Sequence, residues 1–207
     1  MLREFRSEVL FALADAPHWK RASFMASCCE PMLANYRLYR REYKRGSVRA
    51  LRQSLDELWN NALLDKPKRY SDQVLERVYR QSPPRIRIRE MSPLEEVAFD
   101  TCSGIGFSME YDGSQIGLEE VCNVALCTIV NANGGALSVN ESDQPDIIRQ
   151  LLQLEAHRQR RCFEQLVAAS HDCRDSTVKS LRMVGANAHP SMLPPAIAFK
   201  GTDHDGC

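Results

Sequence analysis

The sequence predicts an all-α protein, a single-domain helical bundle of about seven or eight helices with one long C-terminal helix. Apolar residues recur at intervals of three and four along most of the chain, which is the period of an amphipathic helix. Period-two alternation is confined to RIRIR at 85–89, which has no partner strand. We divide the chain into a helical domain over 1–185 and a proline-containing, loosely ordered tail over 186–207.

Length and composition describe an ordinary globular protein. The 207 residues are 43% hydrophobic, enough to bury one large core. Lys plus Arg and Asp plus Glu both number 27, and this balance disfavours nucleic acid as a partner. The run from Val9 to Ala14 is too short for a secretion signal, and no apolar run approaches the ~18 residues of a membrane span. We therefore expect a cytoplasmic protein with no membrane association and with free cysteines.

The first two helices are predicted in the first 44 residues. Apolar and charged residues over 2–14 follow a helical period. A longer stripe then continues at steps of three and four, through Phe24, Cys28, Met32, Tyr36, Tyr39 and Tyr43. Pro31 interrupts this second helix and cannot donate a hydrogen bond to the carbonyl of Ser27, so we expect a kink or a new helix start there.

Four shorter helices are predicted next, at 48–64, at about 71–80, at 92–111 and at 117–131. The clearest boundary is SPLEE at 92–96. There Ser92 is an N-cap, Pro93 takes the first helical position and Glu95 completes a capping box. Gly104 and Gly106 inside that helix should let a neighbouring helix approach closely.

The segment from Pro145 to Val184 contains no glycine and no further proline, and it predicts one long helix, or two nearly collinear ones, ended by Gly185. Its apolar seam includes two polar residues, Glu155 and Gln159. These side chains could face a pocket, a second subunit or solvent at the end of the bundle, and we favour solvent.

Several stretches carry a family resemblance. FMASCCEPMLANYRLY, followed by LRQSLDELWNNAL, resembles the opening of the YjaG-like bacterial proteins, which form domain of unknown function family 416. AFDTCSGIGFSMEY, GLEEVCNVALCTIV and CRDSTVKSLR fit the same pattern, so the resemblance spans about 18–185. It implies an all-helical, cytoplasmic, single-domain protein, and it implies no activity and no catalytic residues.

One candidate thiol site is the pair Cys28 and Cys29 beside Glu30. Adjacent helical side chains diverge by about 100°, so the two thiols do not easily share a ligand. Cys28 falls on the apolar stripe and Cys29 off it, and we favour a core role over a thiol or metal site. The sequence has no Cys-x-x-Cys, Walker or His-Glu-x-x-His motif. We assign no catalytic, cofactor-binding or metal-binding residue and expect no cofactor.

A second candidate is a basic surface at the end of the second predicted helix. Its members are Arg37, Arg40, Arg41, Lys44 and Arg45. We favour a solvated helix end whose cations complement the helix dipole, with phosphate contact as the alternative.

Three functional hypotheses follow. The leading one is a non-enzymatic protein-interaction module that binds an unknown protein partner or associates with itself as a homodimer. The first alternative is a small-ligand or redox-responsive protein with a pocket near Cys28, Cys102 or Cys162. The second alternative is nucleic-acid contact through the basic face at 37–52.

Overall fold

The structure is a computed structural model that describes residues 2–64, 66–84, 91–111 and 144–186. These segments form seven helices and no strand, which confirms the all-α prediction. The helices are α1 (Leu2–Leu13), α2 (His18–Tyr43), α3 (Val48–Asn61), α4 (Asp72–Tyr79), α5 (Pro93–Glu110), α6 (Gln144–Ala168) and α7 (Arg174–Ala186). The predicted helix at 117–131, the RIRIR stretch and the tail after residue 186 lie outside the described residues. Among the described helices, none has the length and apolar character needed to cross a membrane.

Helix α2 is the centre of the fold and packs against α3, α5, α6 and α7. Every residue from 22 to 33 is buried, so this part of α2 is enclosed on all sides and not only along one stripe. The helix passes through Pro31 without interruption, so of the two outcomes predicted at Pro31, a kink or a new helix start, the new start does not occur. It ends at Tyr43, where Lys44 adopts the left-handed conformation with φ of 53°.

Two short sequence signals, a capping box and a glycine, determine where α5 begins and how closely α4 approaches it. The side chain of Ser92 accepts a hydrogen bond from the Glu95 amide at 3.3 Å, and the Glu95 carboxylate accepts one from the Ser92 amide at 3.0 Å, which confirms the capping box. A side chain at Gly106 would collide with the ring of Tyr79. Helices α4 and α5 therefore approach closely at Gly106, as the small residue predicted.

The segment after Pro145 forms two helices that fold back on each other, so the prediction of one continuous or collinear helix was wrong. Helix α6 ends at Ala168, and α7 begins at Arg174 after a short 3-10 turn. The side chains of Gln165 and Ser180 lie 3.4 Å apart. In a straight helix these residues would be separated by about 22 Å, since each residue adds ~1.5 Å. Gly185 lies inside α7 and does not end it.

Candidate functional site

The first buried polar group lies where α2 meets α3. Glu30 has a side chain that is 2% exposed, and it accepts hydrogen bonds from both terminal nitrogens of Arg52 at 2.7 and 2.9 Å. The indole nitrogen of Trp59 donates a third hydrogen bond at 2.6 Å. A buried carboxylate requires such compensation, because an unpaired charge in the interior is strongly destabilising.

This pair continues to the surface through a second carboxylate. Arg52 also donates to Asp56 at 3.0 Å, and Asp56 accepts a hydrogen bond from Arg182 of α7 at 2.5 Å. Burial alone would lower the pKa of Arg52, but its hydrogen bonds and charge interactions with Glu30 and Asp56 hold it above its ordinary value. One chain of ionic hydrogen bonds therefore joins α2, α3 and α7.

The second buried polar group lies where α2 meets α6. Arg158 donates two hydrogen bonds to Glu155, at 2.8 and 2.7 Å, and a third to the carbonyl of Ser27 at 3.1 Å. Pro31 leaves that carbonyl without its helical donor, so a side chain of α6 supplies the missing hydrogen bond. Burial alone would lower the pKa of Arg158, but its charge interaction and hydrogen bonds with Glu155, together with the nearby thiols of Cys28 and Cys162, hold it above its ordinary value, so the guanidinium stays charged.

Glu155 and Gln159 are both fully buried, so the solvent-exposed interpretation of these residues was wrong. The side-chain amide of Gln159 donates to Glu155 at 2.6 Å. The carboxylate of Glu155 thus accepts hydrogen bonds from Arg158 and Gln159 in the interior. The polar residues of the seam are part of the helix–helix contact with α2.

The candidate thiols lie in the core. Cys28 and Cys29 are both fully buried, although the helical spacing puts Cys29 off the apolar stripe. Burial raises the pKa of Cys28 well above its ordinary value and raises that of Cys29 to about 12. The same cause raises the pKa of Cys102 to about 12 and that of Cys162 to about 11. These thiols are protonated at neutral pH, and a thiol is a poor nucleophile and metal ligand.

The candidate basic surface lies at the other end of α2. Arg37, Arg41, Lys44 and Arg45 are exposed, and Arg40 is half-buried. The ammonium group of Lys44 donates to the carbonyl of Arg41 at 2.6 Å and so helps to close the helix. Because Arg37 follows Ser27 by ten residues, this surface lies about 15 Å along α2 from the buried polar groups.

A cleft of about 420 Å³ opens between α6 and α7. Its floor includes Ser27, Arg158 and Cys162, and α7 contributes Leu181, Val184 and Gly185. Two apolar side chains that line the cleft are largely exposed, with exposed fractions of 63% at Leu154 and 58% at Val184. No sequence motif pointed to this cleft, because it arises only when α7 folds back along α6.

Gly185 sets how closely α7 approaches α2. A Cβ atom at this position would lie 2.8 Å from the Cβ of Glu30 and 2.9 Å from its Cγ. Both contacts are shorter than van der Waals distances, and both involve atoms near the backbone that cannot move away. The glycine therefore permits the crossing that brings the cleft against the buried ionic groups.

The fold and this geometry define a class of protein: an all-α bundle around a buried central helix, with ionic hydrogen bonds between its helices. The chain belongs to a protein family of unknown function, DUF416, whose profile matches residues 10–191. A crystal structure of a DUF416 family protein from Shewanella baltica OS155 has the same fold, with a TM-score of 0.68 and 17% sequence identity. That match covers 84% of this chain and 93% of the other. No curated protein matches.

Proposed function

We propose that the protein is a protein-interaction module that pairs with a second copy of itself through the cleft between α6 and α7. The observation that carries this proposal is the exposure of Leu154 and Val184, two large apolar side chains that line the cleft. A small ligand inside the cleft would leave these side chains in water. A protein partner would cover them, and each large apolar side chain that becomes fully buried contributes roughly 1.5–3 kcal/mol.

The surface around the α6–α7 cleft carries a hollow and protruding apolar side chains, and also charges of opposite sign. A second copy of the same surface can therefore fit against it. In a two-fold interface a patch must fit itself, so residue i of one copy contacts residue j of the other, and j contacts i. Helices α6 and α7 together present protruding apolar side chains next to the cleft. Helix α6 also presents Arg161 and Glu164 on its cleft side, and neither forms an ion pair within the described part of the chain. Both charges can therefore be paired across a two-fold axis.

Sedimentation or light scattering across a wide concentration range tests this pairing. We expect a dimer for the natural sequence and a monomer with unchanged helicity for the double variant Leu154→Asp, Val184→Asp. Phe11→Asp is the matched control, because Phe11 is 89% exposed and lies on α1 away from the cleft. A natural chain that stays monomeric at every concentration would overturn the proposal, and so would a double variant that still dimerises.

We also propose that the protein works in the cytoplasm. None of the five cysteines in the described residues forms a disulfide, and four of them are buried as small hydrophobic side chains. This usage suits a reducing compartment. Fractionation of the native host tests it, and recovery of the protein from outside the cytoplasm would contradict the assignment.

A further inference from the structure

The exposed arginines at the junction of α2 and α3 form no ion pair with any carboxylate among the described residues. Arg37, Arg41, Arg45 and Arg49 are exposed, and none of them takes part in an ion pair among the residues that the structure describes. Other arginines of the same chain do find carboxylates, as Arg52 does with Glu30. Within the described part of the chain, this junction therefore presents a concentration of positive charge that is not paired with acidic side chains.

Helical spacing places two of these cations, Arg37 and Arg41, on one face of α2. Residues 37 and 41 are four positions apart, so their side chains share one face of α2. Glu42 is the acidic residue nearest to them in the sequence, and it points about 100° away from Arg41 around the helix axis. Lys44 is engaged with a backbone carbonyl, so we leave it out of the set of available cations.

Helix α3 extends the positive surface. Ser47 caps its amino end, the first turn contains Arg49, and that turn carries no acidic residue. The positive end of the α3 dipole therefore adds to the arginines. The negative end of the α2 dipole opposes them, but it amounts to about half a charge against four full charges.

We infer that this junction, which we call the arginine surface (Arg37, Arg41, Arg45 and Arg49), binds the phosphate backbone of nucleic acid without reading base sequence. Arginine matches phosphate in a bidentate geometry, and a group of exposed cations at one helix junction suits a polymer that carries a charge on every nucleotide. An anionic membrane or a protein partner would favour apolar side chains within the contact. Tyr43 is the only exposed large apolar side chain described between residues 37 and 49, and its hydroxyl is engaged with Ser92 at 2.7 Å.

The test is binding of the full chain to a fluorescent duplex DNA and to a single-stranded RNA as a function of salt. With four phosphate contacts, the logarithm of the DNA binding constant should fall with that of the salt concentration at a slope of about −3.6. Between 50 and 200 mM salt the affinity should therefore drop roughly a hundred-fold. The double variant Arg37→Gln, Arg41→Gln should halve the slope, because it removes two of the four contacts.

Two controls make the result decisive. The matched variant Arg69→Gln, Lys179→Gln also removes two exposed cations, at positions away from the arginine surface, and should keep the natural slope. Vesicles of anionic phospholipid should not bind under the same conditions. The inference is overturned by absence of DNA and RNA binding at 50 mM salt, by an unchanged slope in the Arg37, Arg41 variant, or by binding to vesicles alone. The arginine surface and the α6–α7 cleft are distinct. The Leu154→Asp, Val184→Asp variant should therefore lose the proposed pairing and keep its binding to DNA, which separates this inference from the proposed function.

Discussion

At Glu30 one buried carboxylate accepts three hydrogen bonds, two from Arg52 and one from Trp59. The sequence carries a signal for this arrangement, since Glu30 is a lone acid in an apolar run. Arg52 and Trp59 are seven residues apart and thus share one face of α3. The sequence analysis did not recognise Glu30 as a buried group, because it followed only the apolar stripe. A helix that is buried on every side has no such stripe to follow.

Replacement of Glu30 by Gln should destabilise the protein by about 2–3 kcal/mol. Breaking a fully buried ion pair costs ~3–5 kcal/mol, and Arg52 is less costly to leave unpaired because it is partly exposed and retains Asp56. Urea unfolding measures the change. The matched control is Glu76→Gln, because Glu76 pairs with Arg80 at the surface, where an ion pair contributes at most ~1 kcal/mol. Equal losses in the two variants would contradict the assigned role of Glu30.

At the scale of the elements, α6 supplies a hydrogen bond that α2 lacks at its proline. Pro31 removes one hydrogen bond from the helix, and Arg158 replaces it at the carbonyl of Ser27. The sequence identified the orphan carbonyl but could not identify its donor, which lies 131 residues away. The contact is created by packing, and no local pattern encodes it.

A double-mutant cycle measures this dependence. In Pro31→Ala the restored amide can donate to Ser27, so the contact from Arg158 should become redundant. Arg158→Lys should therefore destabilise the Pro31→Ala protein less than it destabilises the natural protein, by about 1 kcal/mol in urea unfolding. Additive effects of the two substitutions would show that Arg158 does not compensate for the proline.

Two glycine-to-alanine substitutions test how closely the helices approach each other. Gly185→Ala should destabilise the protein by about 1–3 kcal/mol, because the new methyl group meets atoms of Glu30 next to the backbone. Gly106→Ala should have a smaller effect, because the obstructing atoms belong to the far end of the partly exposed Tyr79 side chain. The gain in helix propensity, about 1 kcal/mol, offsets part of each cost. Thermal unfolding compares the two, and a larger loss for Gly106→Ala would contradict this order.

At the scale of the whole molecule, the sequence predicted the class of fold and most helix bounds, because helical periodicity and caps are local signals. It did not predict the return of α7 along α6, since Ala169 and Ser170 carry no strong breaker. The cleft and its apolar mouth depend on that turn. The features that support a function were therefore invisible to local reasoning, apart from the basic residues of the arginine surface.

Because several of its thiols are buried, the protein should become less stable as the pH rises above 9. Folding raises the pKa of Cys29 and Cys102 from about 9 to about 12, so the folded state disfavours their ionised form. The stability that depends on protonated thiols is fully present below pH 9 and is lost as the pH rises towards 12. Urea unfolding across this range should show a falling free energy of unfolding.

The variant Cys29→Ala, Cys102→Ala should lose less stability between pH 9 and 12 than the natural protein, whatever its stability at neutral pH. Cys173→Ala is the matched control, because Cys173 is exposed. Site-resolved thiol labelling in native buffer supplies a second measurement. Cys173 should react, whereas the buried thiols should react only after denaturation, and rapid labelling of either buried thiol would contradict their enclosure.

The proline in α2 also has a consequence for biosynthesis. The ribosome completes α2 long before it makes Arg158, and at ~5–20 residues per second the interval is on the order of ten seconds. During that time the carbonyl of Ser27 has no protein donor from α6, and the cysteines beside it have no cover from that helix. A prematurely terminated chain would keep this exposed stretch permanently. The hydrogen bonding at the centre of α2 is therefore complete only in a chain long enough to contain α6.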